Sequence, residues 1–241
     1  MSRPFLTAEW RKLALFNYPI DPAVLKPFVP AGTELDLWNN TCYISLVGFL
    51  FKDTRLKGLP IPFHRTFEEV NLRFYVERKE GDVVKRGVVL IQEIVPKAAL
   101  TWVARTVHGE PYRTCRMGHV HRIRPDKNDL FVSYAWNCNG QQQVIKMFGR
   151  LEPEAIPVGS EAEFITEHYW GYTRINERKT KAYEVKHPRW RTHPIYHTSM
   201  KVDFGLVYGG RSAFLNGQAP ASVMLAEGST IAVMPGRALP S

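Results

Sequence analysis

The residues best suited to do chemistry in this chain lie between Phe67 and Arg73. Glu69 and Arg73 are four apart in a run that alternates Val70, Leu72, Phe74 and Val76 with Asn71, Arg73, Tyr75 and Glu77. Alternation of this kind has the period of a β-strand, so Glu69 and Arg73 share one side of it. A carboxylate and a guanidinium held together can receive a small polar molecule: the carboxylate moves protons and the planar fork fixes an anion. Facing water, the same two residues are an ordinary solvated surface, because such side chains are rarely buried without a partner. Spacing alone leaves both readings open.

Other reactive side chains form weaker groups. His119 and His121 sit at i and i+2, so a strand points them the same way. A metal site needs three or four ligands and spacing offers no third, so no metal is expected. His187, His193 and His197 are broken up by Pro188 and Pro194 and suit loop contacts. Tyr169, Trp170 and Tyr172 can fill a core or line the wall of a ligand pocket. Residues 179–191 mix Lys179, Lys181, Lys186, Arg189 and Arg191 with Tyr183 and Trp190, which supplies cations for phosphate and rings for stacking. A lysine-bearing strand edge has the same composition, and no nucleic-acid-binding signature accompanies the segment. Nucleic acid is therefore not the expected partner.

The elements that must position these residues are mostly strands. Strand-like runs begin at Cys42, Val70, Gly87, Met117, Leu130, Val144, Phe164, Ala182, Met200 and Ser222, with turn residues between them. Residues 70–77 and 87–94 should form a hairpin about Glu80-Gly81-Asp82. Asp21-Pro22 reads as a helix cap followed by a first-turn proline, with Pro30 as the stop. Residues 97–107 carry the best helical period, and the loop at 53–66 is the best candidate for a lid. The fold class expected is mainly β (α+β), a curved or closed antiparallel β-barrel with a few flanking helices. No linker or repeat divides residues 1–241, so one domain is expected.

Composition bounds the setting. Hydrophobic residues at 44% are enough for a folded core, and no apolar run approaches the ~20 residues of a spanning helix. The N-terminus has no basic region followed by an apolar stretch, and Cys42, Cys115 and Cys138 make no C-x-x-C pair. A cytoplasmic protein with buried thiols and no membrane partner is the expectation. Cys115, next to Arg116, is the thiol most able to ionise. The net charge of +9 is spread along the chain rather than gathered in a tail.

Three segments, Phe67-Glu68-Glu69-Val70-Asn71-Leu72-Arg73, Glu167-His168-Tyr169-Trp170-Gly171-Tyr172 and Leu225-Ala226-Glu227-Gly228-Ser229, resemble an uncharacterised bacterial family, the YqjF-like proteins. That family looks related to acetoacetate decarboxylase. The resemblance implies a substrate-binding role for Arg11 ahead of the short helix at 24–30, and a pocket role for Glu69. It places Tyr112-Arg113 where the decarboxylases carry a lysine pair, and Ser45 where they carry a second carboxylate. A guanidinium with a pKa above ~12 cannot form an imine, and a phenol cannot replace the amine. Lys97, Lys146 and Lys201 remain as other amines.

The expectation is thus a protein with a barrel pocket for a small anionic or carbonyl-bearing molecule, needing no cofactor. Glu69 and Tyr112 would be its acid–base and hydrogen-bonding groups. Arg11, Arg73, Arg113, Tyr169 and Trp170 would contact the ligand. If it is an enzyme, the chemistry is lyase or enolisation chemistry without a Schiff base. The alternatives are a non-catalytic sensor or carrier and, behind it, a nucleic-acid-binding protein. A homo-oligomer is compatible with the resemblance.

Overall fold

The computed structural model describes residues 3–98 and 111–239. Most of the expected helix at 97–107, with Trp102, lies outside the described residues.

Strands dominate, most of them long. They are β1 (Leu6–Ile20), β2 (Cys42–Leu56), β3 (Phe67–Glu80), β4 (Val83–Val95), β5 (Tyr112–Thr114), β6 (Arg116–Arg124), β7 (Asp129–Cys138), β8 (Gln141–Arg150), β9 (Trp170–Asn176), β10 (Lys179–Lys186), β11 (Ile195–Lys201) and β12 (Ser222–Val233). Short helices are α1 (Pro22–Leu25), α2 (Glu161–Thr166) and α3 (Phe204–Tyr208). Asp21 caps α1, its carboxylate accepting from Ala23 N at 2.8 Å. Aspartate does this well because its oxygen satisfies an amide that the helix leaves orphaned.

In the first sheet the order runs β12, β1, β2, β3, β4, β9, β10, and β10 pairs back to β12 through Val185↔Val233 and Lys186↔Ala232. The strands therefore close into a ring, in agreement with a curved or closed sheet. The pairing is not antiparallel throughout: β9 and β5 both run parallel to β4. Among the described residues a second sheet has four strands in the order β11, β8, β7, β6. Its inner side, with Leu130, Val132, Tyr134, Trp136, Ile145 and Met147, packs on the outside of the ring against Leu46, Leu50, Leu72 and Phe74.

Gly48 of β2 faces side chains of the second sheet. A Cβ there would fall 2.8 Å from Ile145 Cδ1 and 3.0 Å from Tyr134 Cδ2, so a larger residue would oblige those side chains to shift. The β2–β3 register runs through Gly48 without a shift.

Three expected elements differ. Phe164 belongs to helix α2, and the strand expected from it begins only at Trp170. Residues 204–208 are helical, because Asp203 caps Leu206 N at 3.0 Å and stops the strand at Lys201. The loop at 53–66 is shorter than it looked: β2 continues to Leu56 and Leu59–Pro60 pairs back on it. No helix among the described residues is long and apolar enough to cross a membrane.

Candidate functional site

The alternation of β3 divides the ring into two faces. Val70, Leu72, Phe74 and Val76 point out to the second sheet, while Glu69, Asn71, Arg73 and Tyr75 point in. Register carries the inward row across neighbouring strands, because residues directly opposite share a side. Ser222, Asn17, Ser45 and Arg73 lie in one line over β12, β1, β2 and β3. Met224, Leu15, Val47, Asn71, Glu93 and Tyr112 form the next, ending on β5. Glu69 follows, opposite Phe49. Polar side chains thus meet inside the ring, walled by Tyr43, Phe49, Phe164 and Trp190.

Glu69, Asn71 and Glu93 are each 3% exposed and Arg73 is 8% exposed. Asn71 Nδ2 donates to Glu69 Oε1 at 2.9 Å, and the Tyr112 hydroxyl lies 3.4 Å from Glu69 Oε2. Ser45 Oγ donates to Asn17 Oδ1 at 2.6 Å and lies 2.7 Å from the Tyr75 hydroxyl. Asn17 Nδ2 donates to Ser222 Oγ at 3.0 Å, and Ser222 donates on to Glu161 of α2.

Arg73 is the exception. Among the described residues its guanidinium makes no hydrogen bond or ion pair and its Nε is buried without a partner, while the group lies 5.8 Å from the centre of the Tyr75 ring. A register shift between Leu72 and Arg73 leaves Ile91 of β4 unpaired beside it. Bulges of this kind re-aim the side chains next to them.

The histidines around Arg73 stay neutral. His168 is pushed down to about 4, chiefly by burial, with the nearby Arg86 and Arg73 charges acting the same way and Asp36 opposing. Its Nε2–H donates to Asp36 Oδ2 at 3.0 Å. His187 is also held below its ordinary value, first by burial, and the Arg73 charge adds to this. The ring of His187 stacks on Trp190 at 4.3 Å and lies 4.6 Å from Tyr169.

Not every expected contact residue joins this group. Arg113 stands beside Ile94, on the opposite side of β5 from Tyr112, and donates to Val207 O at 3.2 Å and Asn139 Oδ1 at 2.7 Å. Arg11 pairs in register with Leu50, which in turn pairs with Glu68, so it lies on the outward side. It binds Glu9 at 2.9 Å and approaches Glu227 at 3.9 Å. Trp170 lies under Lys85, whose Nζ is 4.4 Å from its ring centroid. Tyr169 donates to Glu167. The structure therefore brings Glu69 and Tyr112 together, sets Arg73 further along the same inward face, places Tyr169 against His187, and sends Arg11, Arg113 and Trp170 elsewhere.

Sequence reasoning passed over Asn17, Tyr75, Glu93 and His168. Tyr75 was within reach, since it continues the polar half of the alternation that begins at Glu69. His119 and His121 are held separately, by Glu68 at 2.6 Å and by the Tyr134 hydroxyl at 3.1 Å. No group of three or more metal-ligating side chains occurs among the described residues. All three cysteines are free and buried, and a hydrogen bond with Cys138 lowers Cys115 to about 7, against the effect of burial.

The fold has solved counterparts. A structure of the enduracididine biosynthesis enzyme MppR complexed with pyruvate matches with a TM-score of 0.69 at 14% identity, over 100% of this chain and 92% of that one. Acetoacetate decarboxylase from Legionella pneumophila matches with a TM-score of 0.66 at 12% identity, over 99% and 88%. At these identities the likeness concerns the fold alone. By sequence, the uncharacterized protein YqjF of Bacillus subtilis (strain 168) is 27% identical over 188 residues, 75% of this chain and 72% of that protein. Residues 7–230 match the model of the DUF2071 family, described as an uncharacterized conserved protein, and the chain belongs to that family.

Proposed function

We propose that this chain binds a small organic anion, a carboxylate that also carries a carbonyl, on the inner face of the ring, with Arg73 as its anchor. One observation carries the reading: a nearly buried guanidinium without a polar partner among the described residues, on the strand face that also bears Glu69 and Asn71. A buried charge left unpaired costs several kcal/mol on the order-of-magnitude scale, so a site that keeps one is built for an anion that arrives later. The pyruvate in the MppR structure supports the ligand class.

Roles follow from chemistry. The guanidinium fork suits a carboxylate, and the Tyr112 hydroxyl suits a carbonyl oxygen. Glu69 is the base that would take a proton from the carbon next to that carbonyl, giving an enolate. No imine enters at position 113, because arginine does not form one.

The test is calorimetric titration with pyruvate and acetoacetate, followed by proton NMR of pyruvate in D2O with the protein present. Binding lost in Arg73→Ala, together with methyl exchange lost in Glu69→Gln while binding persists, is the expected pattern. Binding without exchange in the unaltered chain would make the protein a carrier or sensor. No binding of either acid, nor of other small carboxylates, would sink the reading.

A further inference from the structure

The outer face of the second sheet presents a different chemistry. Alternation on β6 sends His119 and His121 inward with Tyr134 and Val132, and turns Arg116, Arg122 and Arg124 outward. Register then defines the outward rows. Arg122, Phe131, Phe148 and His197 stand directly opposite one another across β6, β7, β8 and β11. Phe131 and Phe148 are 4.7 Å apart between ring centroids, and Phe148 and His197 are 5.4 Å apart. Towards one end lie Arg124, Asp129 and Arg150, and towards the other Lys146 and then Lys201.

Three rings in line across an open sheet are unusual on a surface that only meets water. Here they sit among six cations, Arg116, Arg122, Arg124, Lys146, Arg150 and Lys201, with Asp129 as the single acid in the outward rows. Arg124 and Arg150 both pair with Asp129, at 2.6 and 3.7 Å. Arg116, Arg122, Lys146 and Lys201 have no ion pair or hydrogen bond among the described residues. A depression of about 330 Å³ opens between Arg122, Phe131, Phe148 and Tyr196.

We infer that this face binds single-stranded nucleic acid. Flat rings accept any base by stacking, and cations spread along the strands accept the phosphates between them. The charge argues against a second copy of the chain as the occupant, because two such faces would repel. It argues equally against an apolar partner, which would leave the unpaired cations desolvated. This surface lies across the second sheet from the ring interior, so the proposal is independent of the small-anion site. It also differs from the lysine-bearing segment at 179–191, where Lys186 and Arg189 pair with Glu184 and Glu163.

The experiment is fluorescence anisotropy of a labelled 15-nucleotide dT or U strand with the full chain, between 50 and 200 mM salt. Expected is a dissociation constant on the order of micromolar at the lower salt, weakening at least tenfold or so at the higher. Phe131→Ala with Phe148→Ala should weaken binding roughly tenfold while leaving the salt dependence unchanged. Arg122→Glu with Lys201→Glu, both exposed and independent of the core, should abolish binding and remain informative if the ring variant unfolds. Absence of a complex at 50 mM salt would overturn the proposal. So would binding indifferent to both ring substitutions and equalled by heparin, since that would be charge alone. A dimer in sedimentation equilibrium that buries this face and excludes the strand would overturn it as well.

Discussion

Tyr112 and Arg113 are neighbours in the chain that face opposite sides of the same strand. Tyr112 lies beside Glu93 with its hydroxyl 3.4 Å from Glu69, whereas Arg113 lies beside Ile94 and donates to Val207 O. The pair therefore separates ligand chemistry from fold stability. Tyr112→Phe should weaken binding of a 2-oxo acid by roughly three- to tenfold, the worth of one neutral hydrogen bond, with little change in melting temperature. Arg113→Ala should leave that affinity unchanged and cost about 1 kcal/mol of stability through its two lost acceptors. Calorimetry and thermal melts on both variants check the division, and a reversal would return Arg113 to the ligand.

Arg73 makes a sharper case. A guanidinium buried without a partner among the described residues burdens the empty protein, so a hydrophobic residue of similar length should relieve it. Arg73→Met is expected to raise stability by about 1–3 kcal/mol in the absence of ligand, as functional sites often trade stability for readiness. The same variant should lose the thermal stabilisation that a small carboxylate gives the unaltered chain. Denaturant titrations with and without pyruvate measure both effects at once.

The three lysines left open as amines separate by position. Lys146 and Lys201 lie on the outer face of the second sheet, away from Glu69. Lys97 follows directly on the strand that carries Glu93 and Val95. Borohydride reduction in the presence of pyruvate should leave no adduct on any of them, as judged by intact mass. An adduct mapped to Lys97, and lost in Lys97→Met, would show that imine chemistry had moved from positions 112 and 113 to Lys97.

How much of this was legible depended on period and distance. The polar half of β3 was readable because alternation is local, so Glu69 and Arg73 came out as a pair on one side. Which side was not readable, since that is decided by the second sheet covering Val70, Leu72 and Phe74. Arg11 failed for a related reason. The chain adopts φ 54° at Lys12 and the β1–β2 register shifts between Arg11 and Ala14. Such a bulge resets the alternation, and no counting of residues in β1 alone reveals it. The strand read from Met200 ended early because Asp203 is a good helix cap, a signal present in the sequence and outweighed by the apolar run after it.

One buried histidine and one half-buried one should give the fold an acid limb. His168 and His121 are both lowered to about 4 from an ordinary 6.5, first by burial, so each stays neutral in the folded chain where the unfolded chain is protonated. The unfolded state then binds more protons between these values, and stability is complete above about pH 6.5 and lost as pH falls towards 4. For His168, fully buried, the loss is on the order of 3 kcal/mol. His168→Gln keeps a donor for Asp36 but cannot titrate. Its melting temperature should therefore fall less steeply between pH 6.5 and 4 than that of the unaltered chain, and parallel curves would refute the assignment.

Gly228 tests the bulge at Arg11 and Lys12 directly. It has φ 80° and stands opposite Arg11, and a Cβ added there would lie 2.0 Å from Trp10 O. Backbone oxygen cannot move aside as a side chain can, so Gly228→Ala must push β1 and β12 apart. The neighbouring Glu227 would move with it. That carboxylate sits 2.7 Å from His193 Nε2 and pairs with Lys12, which together hold it down to about 2 against the opposing effect of burial. The cost should reach about 3 kcal/mol or more, beyond the ~1–2 kcal/mol that a left-handed alanine carries by itself. Gly217→Ala supplies the control, having φ 75° and nothing within 4 Å of its Cβ, and should lose only the smaller amount. Equal losses in the two variants, read from urea midpoints, would mean that β1 yields at the bulge and that Gly228 is required for its conformation alone.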